Sequence, residues 1–159
     1  MSGYGTDTGF QTWLDANGHS LPDSAPTIAV LRERGSNYID GTYGARFSGT
    51  PTDGFAQERA WPRSGACAYG QPIGDDVIPD AIVKASYVAA LADAKAPGSL
   101  SVTYTPGTTK VLTKVDKIEW DVIGDASEPG SMIPVLSAVE GLLAPFLMPV
   151  GGLPAILVV

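Results

Sequence analysis

Catalysis needs an acid, a base, a nucleophile or a metal held in geometry, and this sequence offers few candidates for any of them. His19 is the only histidine; between Gly18 and Ser20, in a predicted turn, it reads as a solvated ring. Cys67 is the only cysteine. One thiol makes neither an intrachain disulfide nor a zinc site, and among Gly65, Ala66, Ala68 and Gly70 it reads as a small loop residue. The chain fits a reducing compartment, and its opening MSGYGTDTG has neither the charged nor the apolar region of a signal peptide. Asp75 and Asp76 are neighbouring carboxylates, but at a predicted helix start such a pair caps the helix. GTYGARFSG follows a helix rather than a strand and lacks dinucleotide-binding spacing, and no GxxxxGKS or GxxxxGKT occurs. The expectation is a chain that is not an enzyme, with no catalytic, cofactor-binding or metal-binding residues and no cofactor.

Binding is the better-supported chemistry. Arg46, Phe47, Phe55, Arg59, Trp61 and Arg63 interleave aromatic and basic side chains, the combination a single-stranded nucleic acid would use. They read first as loop anchors or protein contacts. Arg46, Phe47, Phe55, Trp61 and Arg63 are therefore candidate partner-binding residues, with Trp61 open between a contact and a core position. The formal net charge of −7 repels phosphate overall. With 44% apolar and only 17% charged residues, the chain is globular but light on charge, as expected where partners cover part of the surface. Lys110, Lys114 and Lys117 make one segment locally basic, either as a solvated strand face or as a phosphate contact.

These residues must be positioned by a scaffold of 159 residues, about one domain by length. Thr6 to Asn17 predicts a short helix, capped by Thr6 or Asp7 and ended by Gly18. A second helix starts near Ser24 or Ala25, with Pro26 in its first turn, and runs to about Tyr43. Its apolar stripe is Ile28, Leu31, Gly35, Tyr38 and Thr42, Arg32 falls mostly on another face, and Gly35 marks a close contact or a bend. Residues 44–76 form a long loop punctuated by glycine and proline, with a helical turn at Gln57 to Trp61. Asp75 or Asp76 opens a third helix, whose small-residue face is Ile82, Ala85, Ser86, Ala89 and Ala90. Residues 101–123 are rich in Val, Thr, Ile and aromatics, and predict a β-hairpin or short meander. Pro134 opens a fourth helix with the stripe Leu136, Val139, Leu143 and Phe146. The fold class is mainly α: a small helical bundle with a long central loop, a β-hairpin insertion and an extended C-terminal arm. The domain spans 1–147 and the arm 148–159.

From Leu142 to Val159 no side chain is charged, a length at the lower limit of a membrane span. Pro145, Pro149, Gly151, Gly152 and Pro154 interrupt any helix there, and the bilayer offers the freed backbone no water. No membrane is expected. Leu153, Ile156, Leu157, Val158 and Val159 would each contribute about 1.5–3 kcal/mol if fully buried, so they read as an arm laid on a neighbouring subunit or partner.

Three segments in order carry a resemblance: RGSNYIDGTYGARFSG, then QERAWPRSGA, then IPDAIVKASYVAALADA. With the later PGSL and PVLSAVEGLLAPFL, they resemble the small head–tail connector, or adaptor, proteins of tailed bacteriophages over roughly Tyr4 to Leu147. Some of those relatives carry a DnaT-like, single-stranded-DNA-binding label. The resemblance implies a virion protein of the phage neck, made in the host bacterial cytoplasm. It would form a homo-oligomeric ring, typically a dodecamer, that joins the portal to a tail terminator or other neck protein. Double-stranded DNA would pass through the ring without specific binding. An acidic chain suits a channel in which DNA slides, so the connector is the first expectation and a DnaT-like single-strand-binding replication protein the alternative. The terminal MPVGGLPAILVV extends past the usual end of the connector pattern.

Overall fold

A computed structural model describes residues 3–101 and 135–149. About half of these residues are helical, in four α-helices and several single 3-10 turns, and two small antiparallel strand pairs complete the regular structure. The predicted hairpin at 101–123, beyond its first residue, and the terminal residues 150–159 lie outside the described residues, and with them Leu153, Ile156, Leu157, Val158 and Val159. Among the described residues no helix is long and apolar enough to cross a membrane.

Helix α1 spans Asp7–Ala16. Thr6 caps it by accepting the Gly9 N–H at 2.9 Å, which satisfies one of the donors a helix leaves open at its start. At the other end Gly18 takes a φ of +67°. The His19 N–H then reaches the Leu14 carbonyl at 2.9 Å and the Gly18 N–H the Asp15 carbonyl at 3.2 Å, the paired closure that glycine permits. His19 thus serves the helix end with its backbone, while its ring lies 5.6 Å from that of Trp13. Phe10 and Leu14 bury the inner face against Leu31 of the next helix and against Tyr87 and Leu91.

Helix α2, Ile28–Tyr43, begins later than its sequence suggests: Thr27 is the cap residue and Pro26 precedes it. Helix α3, Asp80–Lys95, likewise starts after Pro79, and Asp75 and Asp76 are exposed outside it. In both cases the residue before the helix, Thr27 or Pro79, has a non-helical ψ, of 152° and 140° respectively, as a cap position requires. The two helices pack along the predicted small-residue stripe, with Ile82, Ala85, Ser86, Ala89 and Ala90 all buried. Gly35 is the point of closest approach. A Cβ there would collide with the Ser86 carbonyl oxygen and with Ala90, so glycine is a packing requirement. Helix α4, Ser137–Leu143, continues as a 3-10 turn through Phe146. It places Val139, Leu143 and Phe146 in the core with Tyr38, Ile39, Tyr43, Ile82, Ala85 and Ala89.

The central segment is more ordered than its composition suggests. Strand β1 (Thr50–Pro51) pairs antiparallel with β2 (Arg63–Ser64), and β3 (Cys67–Ala68) with β4 (Gln71–Pro72). The helical turn sits at Gly54–Ala56 rather than at Gln57 to Trp61. The Trp61–Pro62 peptide is cis. Residues 146–148 run antiparallel to the start of this segment. Phe47 bridges Leu147, the Ser48 N–H reaches the Phe146 carbonyl at 3.2 Å and the Met148 N–H the Arg46 carbonyl at 2.7 Å.

Candidate functional site

Irregular backbone exposes carbonyls that no ladder satisfies, and buried arginines take up that task here. Arg63 is 6% exposed. Its guanidinium donates to the carbonyls of Ser48 at 2.8 Å, Gly49 at 2.6 Å, Ala60 at 3.1 Å and Phe47 at 3.4 Å. The rigid five-donor fork suits this task, and a lysine ammonium could not span it. Burial lowers the Arg63 pKa from its ordinary value. Gly49, at a φ of +69°, carries no Cβ where one would strike the Ser64 carbonyl.

A second node joins the N-terminal strap, α2 and the central segment. The Tyr4 hydroxyl donates to Asp40 at 2.5 Å and accepts the Trp61 N–H at 3.2 Å. Arg59, also buried, donates to Asn37 at 2.5 Å and to Asp40 at 3.4 Å. Burial raises the Asp40 carboxyl above its usual range, outweighing the hydrogen bonds from Tyr4, the Ala60 backbone and Arg59 that pull it down. Burial likewise raises Tyr4, helped by the charge of Asp40. The third node is Arg32, which α2 turns inward rather than to solvent. It binds the carbonyls of Gly3, Tyr4 and Gly5 at 2.6, 3.2 and 2.8 Å and pairs with Asp7.

Several predicted contact residues therefore serve the fold. Trp61 is 1% exposed, edge-on to Phe47 at 5.6 Å and to Phe146 at 6.0 Å. Phe47 is fully buried under the Arg63 guanidinium. A direct contact role for Phe47, Trp61 or Arg63 gives way to a structural one, because their faces are already covered. Arg46 is about one-third exposed, but it pairs with Glu140 at 3.5 Å and lies over the Tyr43 ring. Phe55 alone of the five remains fully exposed. The structure adds a residue that the sequence reading passed over. Tyr69, at the turn between β3 and β4, is 84% exposed and holds a φ of +52°. Its signal in the sequence is a tyrosine before glycine in a short turn, where asparagine or aspartate is usual.

The remaining cations are mostly engaged. Arg34 pairs with the buried Asp93 at 3.0 Å, and Lys84 with Asp80 at 2.6 Å. Asp93 also accepts the Gly98 N–H at 3.0 Å. A cleft of about 580 Å³ opens beside this pair, walled by Arg34, Asn37, Thr42, Asp93 and Ser101. Lys95 is exposed at the end of α3, and Lys110, Lys114 and Lys117 lie outside the described residues. Among the described residues no cluster of His, Cys, Asp and Glu is placed to hold a metal, and Cys67 is exposed.

The family model described as "Putative DnaT-like ssDNA binding protein" matches residues 3–158. The chain belongs to that family. No curated protein and no solved structure matches it. The match corrects the expectation from sequence of a neck connector. The family that covers nearly the whole chain is described by single-strand binding, which was the alternative. The phage connector family has no support beside it. The ring, the portal contact and the virion location rested on that resemblance and are not carried forward. The acidic net charge that favoured a channel subunit was a poor discriminator, because it sums over the chain and ignores uncharged modes of binding.

Proposed function

We propose that the chain is a non-catalytic single-stranded-DNA-binding protein: a small helical bundle that carries its central segment as a rigid working face. Family membership over residues 3–158 is the observation that carries this reading. The architecture suits it. The helices and two buried arginines, Arg59 and Arg63, brace residues 44–76, and loops held by a rigid scaffold are where binding residues concentrate. The net charge of −7 is a sum over the chain and is compatible with this function, because base stacking on aromatic side chains contributes apart from phosphate contacts.

The test is fluorescence anisotropy of a labelled oligothymidylate, with a duplex of the same length as competitor, across a salt series. The expected result is saturable binding of the single strand, weak competition by duplex, and affinity that falls with salt by a shallow slope. Absence of binding to any single strand at low salt and high protein concentration would overturn the reading.

A further inference from the structure

We infer that Phe55 and Tyr69 are the platforms on which bases of the single strand stack. This rests on the proposed single-strand binding and gives it a place on the molecule. Among the described residues the exposed large hydrophobics are these two rings with Val30, Val77, Val135 and Met148. The last four are aliphatic and about half covered, whereas Phe55 is bare and Tyr69 nearly so. Both rings belong to the central segment and crown neighbouring strand pairs.

Neither ring is exposed because its backbone is loose. The Phe55 turn lies between β1 and β2 and is braced by Gln57, whose side chain accepts the Asp53 N–H at 3.1 Å and donates to the carbonyls of Arg59 at 2.7 Å and Pro62 at 2.9 Å. The two strand pairs are tied to each other. Ser48 bridges to Cys67 through its hydroxyl, accepting the Cys67 N–H at 3.1 Å and donating to the Cys67 carbonyl at 3.2 Å. Thr52 donates to the Asp75 carbonyl at 2.6 Å. The positions of both ring-bearing turns are thereby set by one hydrogen-bonded framework.

Tyr69 adds an independent indication. With Gly70 at φ +73° it forms the two-residue turn between β3 and β4, both residues in the left-handed region. A tyrosine is strained there, and asparagine or glycine would relieve the strain. A strained aromatic that is left 84% exposed points to a role outside the fold. The chemistry it fits is a flat π-surface. Among the described residues of the central segment Arg59 and Arg63 are buried and Arg46 is paired, so these arginines offer no set of phosphate contacts to match the stacking. Stacking on an aromatic accounts for about 5- to 150-fold in affinity per base.

The experiment compares the full chain with Phe55→Ala, Phe55→Leu, Phe55→Trp, Tyr69→Asn and the Phe55→Ala/Tyr69→Asn double variant, using the same labelled oligothymidylate, with urea melts as a check on folding. Wild-type binding with a loss of about tenfold in each of Phe55→Ala, Phe55→Leu and Tyr69→Asn, retention in Phe55→Trp, and an unchanged salt slope supports the proposal. Tyr69→Asn should lose binding while its urea midpoint holds or rises, a result that misfolding cannot produce. If the wild type binds and the double variant binds equally well, the stacking assignment is wrong while the single-strand reading stands. If Phe55→Leu binds like the wild type, the site is a greasy contact rather than a stacking one and the proposal falls. If the variants change only the sedimentation of the free protein, the rings serve self-association and the proposal falls. If the wild type binds no single strand, the functional reading fails and takes the assignment with it.

Discussion

Replacing Arg63 by methionine tests the reasoning about the central segment most directly. Methionine keeps much of the length and apolar stem of arginine and removes the guanidinium, so four carbonyls, those of Phe47, Ser48, Gly49 and Ala60, lose their shared donor. Each buried acceptor left without a partner costs about 1–3 kcal/mol. Removal of a buried cation returns part of that cost, since the charge no longer has to be held away from water. The 3.4 Å contact to Phe47 is also weak by its length. A net loss of about 3 kcal/mol follows. For a chain of this size it lowers Tm by about 6–12 °C and moves the urea midpoint by about 1–2 M. Arg63→Lys should fall between, because one ammonium reaches only some of the carbonyls. Amide exchange should locate the damage: in Arg63→Met the amides of Ser48 and Cys67 should exchange faster even well below the melting zone, where α2 and α3 remain protected. A urea midpoint within 0.3 M of wild type, on the scale of the shift expected above, would mean that the carbonyls find water without cost and that Arg63 does not hold the segment.

Three further outcomes follow from named contacts. Gly35→Ala gains about 1 kcal/mol of helix propensity but forces a methyl against the Ser86 carbonyl. Overpacking of this kind costs about 1–3 kcal/mol, and more where backbone must move, so calorimetry should register a lower Tm despite the better helix former. Trp61→Ala should cost about 3–5 kcal/mol in urea titration, and Trp61→Phe distinctly less; loss of oligonucleotide binding with full retention of stability would contradict the core position. For Asp40 the sign is set by its raised folded-state pKa. The folded state then holds the proton more tightly than the unfolded chain, so this carboxyl favours folding below its ordinary value of 3.8 and that contribution is lost as pH rises through its folded value. The stability of wild type relative to Asp40→Asn should accordingly increase as pH falls from 7 toward 3.5, and a gap that narrows on acidification would refute the assignment.

The helices were legible where periodicity and capping agreed. The Thr6 cap, the Gly18 stop and the small-residue stripe of α3 follow from local rules and hold in the structure. The helices begin later than proline placement suggests, since Pro79 is the residue before α3 and Pro26 stands two residues before α2, both outside the helices. The buried arginines were not legible. Arg32 sits in a sequence that looks like a solvated face, and its inward turn depends on the strap at residues 3–5, whose carbonyls it serves. Nothing local encodes a partner so distant along the chain. The aromatic-and-basic interleaving around Trp61 suggested an interface, yet Phe47, Arg59, Trp61 and Arg63 are buried within the fold. Phe55 was recognised by type, whereas Tyr69 became visible only with its φ and its exposure.

The core cluster has a consequence for how the chain is made. Tyr4 meets Trp61 across 57 positions, and Trp61 meets Phe146 from near the other end. A nascent chain that has reached α3 can pair α2 with α3, but the aromatic floor stays open on one side until α4 leaves the ribosome. Such long-range closure slows folding and keeps Phe47 and Trp61 open to solvent during synthesis. Truncation before Val139 should therefore leave a chain that binds hydrophobic dyes and is prone to aggregation, even with its first three helices intact. Helix α4 and the turn after it close this side of the core, and the ordering of the central segment should depend on them.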